Sequence, residues 1–254
     1  MVSRILASFF LAGAMGSLAL AQAGNSLVDR TAPRIAPAAN LTPEARGDIM
    51  MARKMYREAI ESFQSDPQKT AIVYNKIGIA YHQLQQLDSA KKNYEQALKL
   101  KRDYAEALNN IGTVYYAKKG YRRAIGYYQR ALRLSESASI YSNLGTAYFA
   151  RKQYERATNA YQKALSLDPE VFEHKSNYGT LLQDRNVEER AKFHYYLAKM
   201  YAKSGRNELA LQYVRKALEE GFKERNKFAE EPEFEALREI PEFKELLTLE
   251  PRVL

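Results

Sequence analysis

The sequence predicts an all-α protein in which antiparallel helix pairs stack into a superhelix. Three observations lead there. Gly78, Gly112 and Gly145 stand 34 and 33 residues apart, and each is followed by Tyr at +3, Ala at +12, Tyr at +16 and Ala at +19. Within each copy the apolar residues recur at helical intervals in two blocks, parted by a polar break such as Lys118-Lys119-Gly120. The chain has no cysteine, so no disulfide staples it and it must hold itself by burying apolar faces. One helix pair cannot bury both its faces, which is why copies of this kind stack.

The elements follow in chain order. Residues 1–23 read as an export signal: a short basic start at Met1-Val-Ser-Arg4, an uncharged apolar run over residues 5–20, and small residues at cleavage spacing around Ala21 and Ala23. The run is shorter than the roughly 20 residues a membrane-spanning helix needs, so cleavage is preferred to an uncleaved N-terminal anchor. No cysteine follows it, which excludes a lipid-anchored form. The expected destination is therefore outside the cytoplasm, periplasmic or secreted. Residues 24–40, rich in Ala, Asn, Pro and Ser without helical periodicity, read as a flexible leader.

A degenerate copy of the repeat occupies residues 41–70, with Gly47, Met50, Ala59 and Phe63 at the pattern positions. Full copies cover 71–104, 105–137 and 138–171. Residues 172–190 begin like the first helix of a further copy, Phe172-Glu-His-Lys-Ser-Asn-Tyr-Gly, but lack the second helix, so an irregular helical insertion is expected there. A last copy, 191–224, carries Ala198, Tyr201, Ala210, Val214 and Ala217. In residues 225–254 the pattern gives way to two short helical turns, each beside a proline at a tolerated position, Pro232 and Pro241. They form a C-terminal cap over the last apolar face. In every pair, small residues at the glycine position let the helices approach, while the aromatic at +16 is expected to fill the space between one pair and the next.

With Tyr74-Asn-Lys-Ile-Gly78, Leu108-Asn-Asn-Ile-Gly112 and Tyr141-Ser-Asn-Leu-Gly145 opening the copies, and Leu167-Asp-Pro169 closing one, the chain resembles the tetratricopeptide repeats, whose period is about 34 residues. The match is strong over 71–171 and looser over 40–70 and 191–220. The resemblance implies a right-handed superhelix and a concave face formed by the first helix of each pair, and together with the export signal it suggests an exported bacterial member of the family. On that geometry the face carries Asn75, Ile79 and His82, then Asn109, Thr113 and Tyr116, then Ser142, Thr146 and Phe149, and finally Tyr195 and Lys199. Amides, small hydroxyls and aromatics suit an extended peptide or a partner helix. Relatives that grip a C-terminal carboxylate use Lys and Arg on this face. The matching places here hold Asn75, Ile79, Asn110 and Ser139, so that clamp is not carried over.

Charge is unevenly spread. Residues 71–171 hold 16 basic against 8 acidic residues, whereas 225–254 hold 5 against 8. Lys118, Lys119, Arg122, Arg123, Arg130 and Arg133, then Arg151, Lys152 and Arg156, form a basic ridge at the turns and along the second helices, with no aromatic interleaving expected. Such a ridge serves either as a solvated outer face or as a surface for an acidic polymer or a membrane.

Catalytic chemistry has little to build on. The histidines are three, His82, His174 and His194, and without cysteine no thiolate nucleophile or thiolate metal site exists. His174 and His194 lack a third ligand at helical spacing, and neither a phosphate-binding glycine loop nor a nucleophile elbow is present. The sequence thus points to a non-enzymatic interaction scaffold of the bacterial cell envelope that binds another protein, with no cofactor, no metal and no small-molecule substrate.

Overall fold

The structure is a computed structural model, and it describes residues 41–172 and 186–248. The signal segment, the leader, His174 and most of the expected insertion lie outside the described residues. Within the unit Leu41–Leu254 the helices come in antiparallel pairs. They are α1 (Pro43–Ala52) with α2 (Tyr56–Gln64), α3 (Ala71–Gln83) with α4 (Leu87–Leu100), α5 (Ala105–Ala117) with α6 (Tyr121–Leu134), and α7 (Ala138–Ala150) with α8 (Tyr154–Leu167). Beyond the undescribed stretch, α9 (Val187–Lys203) pairs with α10 (Asn207–Glu219), followed by α11 (Asn226–Glu230), a 3-10 turn over Pro232–Leu237 and α12 (Pro241–Thr248).

Local chemistry explains where the helices start and stop. Thr42, Thr70 and Asn186 accept bonds from the backbone N–H three residues on, at 3.1, 3.2 and 2.8 Å, which caps α1, α3 and α9. Asn186 thereby begins α9 at Val187, so the irregular insertion does not run to residue 190 as expected. Each first helix ends in one device: a residue with positive φ at Lys54, Gln85, Lys119, Lys152 and Gly205. The next N–H then reaches back to a carbonyl, Gln86 to Tyr81 at 2.9 Å, Gly120 to Tyr115 at 2.8 Å and Gln153 to Tyr148 at 3.0 Å. This is the helix-ending bond of a left-handed C-terminal residue. The tyrosine at +3 thus marks, by its backbone, the place where the chain turns.

The glycines are set by close approach. A Cβ on Gly47 would lie 2.3 Å from the Phe63 ring, and on Gly78, Gly112 and Gly145 it would lie 2.5, 2.6 and 2.5 Å from Tyr94, Tyr128 and Tyr161. The aromatic at +16 therefore seats on the glycine of its own pair, which corrects the expectation that it only fills the gap between pairs. Its other surroundings do reach the next pair: Tyr94 shares a core with Ile111 and Val114 of α5. From α5 onward the core runs without a break through α9 and α10 to Phe234, Leu237, Phe243 and Leu246 of the C-terminal cap. Among the described residues no helix is long and apolar enough to cross a membrane.

Candidate functional site

The first helices of successive pairs, α3, α5 and α7, lie side by side, and their shared face carries a row of amides. Asn110 Nδ2 donates to Asn75 Oδ1 at 3.0 Å, Asn109 Nδ2 to Asn110 Oδ1 at 3.4 Å, and Asn143 Nδ2 to Asn109 Oδ1 at 3.0 Å. The row fixes the register of three helices against one another. It leaves each amide with further donor and acceptor capacity, because a carboxamide offers two N–H groups and two lone pairs. Asn75 is buried, while Asn109, Asn110 and Asn143 are half-buried. Neither Asn110 nor Asn143 is among the residues that the resemblance assigns to the concave face, although both lie in the motifs that open the copies. The signal for both was present, since each stands two residues before a repeat glycine.

Other residues expected on this face serve the interior instead. Thr113 and Thr146 meet the hydroxyls of Tyr128 and Tyr161, at 3.4 and 3.1 Å, and Thr146 also donates to the Ser142 carbonyl at 2.9 Å. Thr146 and Ser142 are 1% and 3% exposed, so neither lines an open groove. Burial raises the Tyr128 hydroxyl well above its ordinary range, and Thr113 only partly offsets this. Phe149 is buried too: its ring stands edge-on to Tyr154, Phe193 and Tyr196, at 5.2, 5.5 and 5.8 Å between centroids. It closes the junction between α7 and α9 and is not a free anchor.

At the C-terminal end the face is covered. Tyr195 stacks on Phe222 at 4.4 Å and donates its hydroxyl to Glu231, and Lys199 pairs with Glu231 at 2.9 Å and Glu233 at 3.3 Å. The 3-10 turn packs on α9. Tyr195 and Lys199 are therefore spent on holding the cap, and the groove expectation for them is corrected. Ile79, His82 and Tyr116 remain half-buried on α3 and α5, with burial pushing His82 below the ordinary histidine value.

Tyr116 opens onto a cavity of about 480 Å³. Tyr121, Phe149 and Tyr154 share its wall with Lys119, Lys152 and Lys192, and Glu188 and Glu189 line it as well. Tyr116 and Tyr121 are 5.2 Å apart and tilted, and Lys192 lies 4.2 Å over the Tyr154 ring.

The basic ridge divides into engaged and unengaged members. Lys118 pairs with Asp88. Arg123, Arg130 and Arg156 lie 5.6, 5.3 and 5.9 Å from the ring centres of Tyr115, Tyr127 and Tyr148. These rings are themselves covered, Tyr115 and Tyr127 half-buried and Tyr148 buried, so the arginines lie against core tyrosines and not between exposed ones. Lys119, Arg122, Arg133, Arg151 and Lys152 are exposed. As for metals, His194 Nδ1 bonds Glu220 at 2.6 Å beside Arg190, an internal tie between α9 and α10. Among the described residues no three His, Asp or Glu side chains gather as a metal site.

Models of the tetratricopeptide repeat match residues 39–103, 75–139 and 138–171. The tetratricopeptide repeat domain-containing protein PYG7, chloroplastic, of Arabidopsis thaliana is 33% identical over 93 residues, which is 34% of this chain and 31% of that one. The ycf37 protein of Porphyra purpurea is 29% identical over 104 residues, 36% of this chain and 60% of that one. The chain thus spans about a third and three fifths of the length of these curated relatives. Among solved structures, the Cut9–Hcn1 hetero-tetramer of the APC/C aligns with TM-score 0.51 at 20% identity, over 81% of this chain and 35% of that one. MamA aligns with TM-score 0.47 at 22% identity, over 68% and 93%. The three repeat matches together run from residue 39 to residue 171, just over half of the 254, and across that stretch the chain belongs to the tetratricopeptide-repeat family.

Proposed function

We propose that this protein is a non-enzymatic scaffold that binds a segment of another protein along the face of α3, α5 and α7. The amide row carries the reading. Asn109, Asn110 and Asn143 are half-buried and aligned across neighbouring helices, each with bonding capacity left over. A partner backbone laid along them meets matching donors and acceptors, while Tyr116 offers an apolar contact beside them. The usable stretch is the middle of the stack, since Tyr195 and Lys199 are occupied by the cap.

The basic ridge as a continuous surface for an acidic polymer or membrane has less in its favour, because Lys118, Arg123, Arg130 and Arg156 are already engaged. The setting belongs to the same proposal. The apolar, uncharged residues 5–20 support export to the envelope of a bacterium, and an intact mass starting at Gln22 or Gly24 is the expected result. A mass retaining residues 1–20 overturns the export reading in its cleaved form.

The binding reading is tested by cross-linking and mass spectrometry of proteins co-purified with the chain and with Asn143→Ala and Tyr116→Ala. Loss of the same partner from both variants, at unchanged helical content, is expected. An identical partner set in all three preparations refutes the face as the binding site.

A further inference from the structure

Four cations of the ridge gather at one edge: Lys119, Arg122 and Arg151, exposed and without an ion or ring partner among the described residues, and Arg123, which lies over the Tyr115 ring and keeps its N–H groups for bonding. Lys119, Arg122, Arg123 and Arg151 surround a cleft of about 320 Å³ with Gly120 and Tyr121. None of the four forms an ion pair among the described residues, whereas their neighbour Lys118 is held by Asp88. Helix α6 starts in this cleft with no acidic residue in its first turn, so its own N-terminal dipole adds to the positive field. The cleft does not stand alone. It shares Lys119 and Tyr121 with the cavity of about 480 Å³ that Tyr116, Phe149 and Tyr154 line. An aromatic hollow and a cationic hollow thus meet along one wall.

We infer that this edge receives an acidic segment of a partner protein, with one apolar or aromatic side chain in the cavity and neighbouring carboxylates on Lys119, Arg122, Arg123 and Arg151. The inference rests on the protein-binding reading above and names what that face takes. Guanidinium groups pair carboxylates through two parallel bonds, and three of the four cations are arginines. Two features favour a peptide over a nucleic acid. Glu188 and Glu189 line the same cavity and repel a continuous phosphate backbone, while a peptide can present its carboxylates to one wall only. The ridge also offers no unbroken track of free cations, as Arg130 and Arg156 lie against Tyr127 and Tyr148.

The experiment is selection of a random displayed peptide library on the full-length chain, followed by titration of the enriched peptides, fluorescein-labelled, against the chain and against Arg122→Gln/Arg151→Gln. Both residues are exposed, so the fold is expected to survive, which circular dichroism checks. The expected result is enrichment of sequences with Asp or Glu beside an aromatic or large aliphatic residue. Their binding weakens with added salt and drops by about tenfold or more in the double variant. Enriched peptides that are uncharged or basic, or whose binding ignores the double variant, overturn the inference. If those same peptides are lost in Asn143→Ala, the protein-binding reading stands without it. If no peptide enriches, both readings fall, and binding of a single-stranded oligonucleotide that the double variant abolishes then assigns the cleft to a polyanion.

Discussion

Two glycines in the same helix pair should respond to the same substitution with opposite signs. Gly112 lies in α5 against Tyr128, where an added Cβ would stand 2.6 Å from Cε1 and 2.7 Å from Cδ1 of the ring. The ring cannot step aside cheaply: Tyr128 is 1% exposed and its hydroxyl meets Thr113. Gly126 lies inside α6, and an added Cβ there meets nothing within 4 Å. Replacing a helical glycine by alanine gains about 0.5–1 kcal/mol of backbone entropy and propensity. At Gly126 that gain stands alone, and Gly126→Ala should raise the melting temperature by about 1–4 °C for a domain of this size. At Gly112 the gain is set against an overpacking cost of about 1–3 kcal/mol or more. Gly112→Ala should therefore lose about 1–2 kcal/mol and lower the melting temperature by about 2–8 °C. Thermal unfolding followed by circular dichroism reads both. A double-mutant cycle sharpens the result, because Tyr128→Leu removes the obstacle and Gly112→Ala on that background should cost about 1 kcal/mol less than alone. Equal shifts at the two glycines, or strict additivity in the cycle, would refute the glycine–tyrosine contact as the reason for the repeat.

Gln85→Gly should stabilise by up to about 1 kcal/mol, since Gln85 holds φ +59 where glycine is unstrained; a lower denaturation midpoint in urea would contradict that. Phe234→Ala, emptying a fully buried site in the cap, should cost about 3–5 kcal/mol and raise proteolysis of the C-terminal segment before the rest. Glu220 titrates below the ordinary glutamate value of 4.5: burial pushes it up, but the hydrogen bond and charge of His194 and the Arg190 guanidinium outweigh that. A lowered folded-state value means that the ionised carboxylate contributes stability present above 4.5 and lost as the pH falls through the folded value. Glu220→Gln should therefore cost about 0.5–1 kcal/mol at neutral pH, since solvent screens a partly exposed pair, and flatten the acid limb of the stability profile below pH 4.5; a limb of unchanged slope would remove Glu220 from its cause.

The fold was legible because one contact recurs. A glycine and the tyrosine 16 residues later touch in each of three pairs, and a contact that tight tolerates little drift in either residue, so its spacing shows in the sequence. The turn between the helices was legible only as a polar break. That its left-handed position holds Lys or Gln in four pairs and Gly in one is a backbone fact with no strong residue signature. The site was less legible for a physical reason: a period of 34 or 33 residues says which residues share a position, but not what covers that position in each copy. Thr113 and Thr146 share a place and both serve a tyrosine hydroxyl, whereas Tyr116 and Phe149 share a place and differ. Tyr116 stays half-buried beside a cavity, while Phe149 is sealed by Phe193 and Tyr196 from a helix that the repeat pattern aligned only loosely. Tyr195 and Lys199 were lost to the face in the same way, by acids of the cap that lie 32 to 36 residues on and outside the repeat. Irregular parts of the chain thus decide which regular positions remain open. What they leave open is the middle of the stack, where the amide row crosses α3, α5 and α7 and where Tyr116, two turns along α5 from Asn109, lines a cavity.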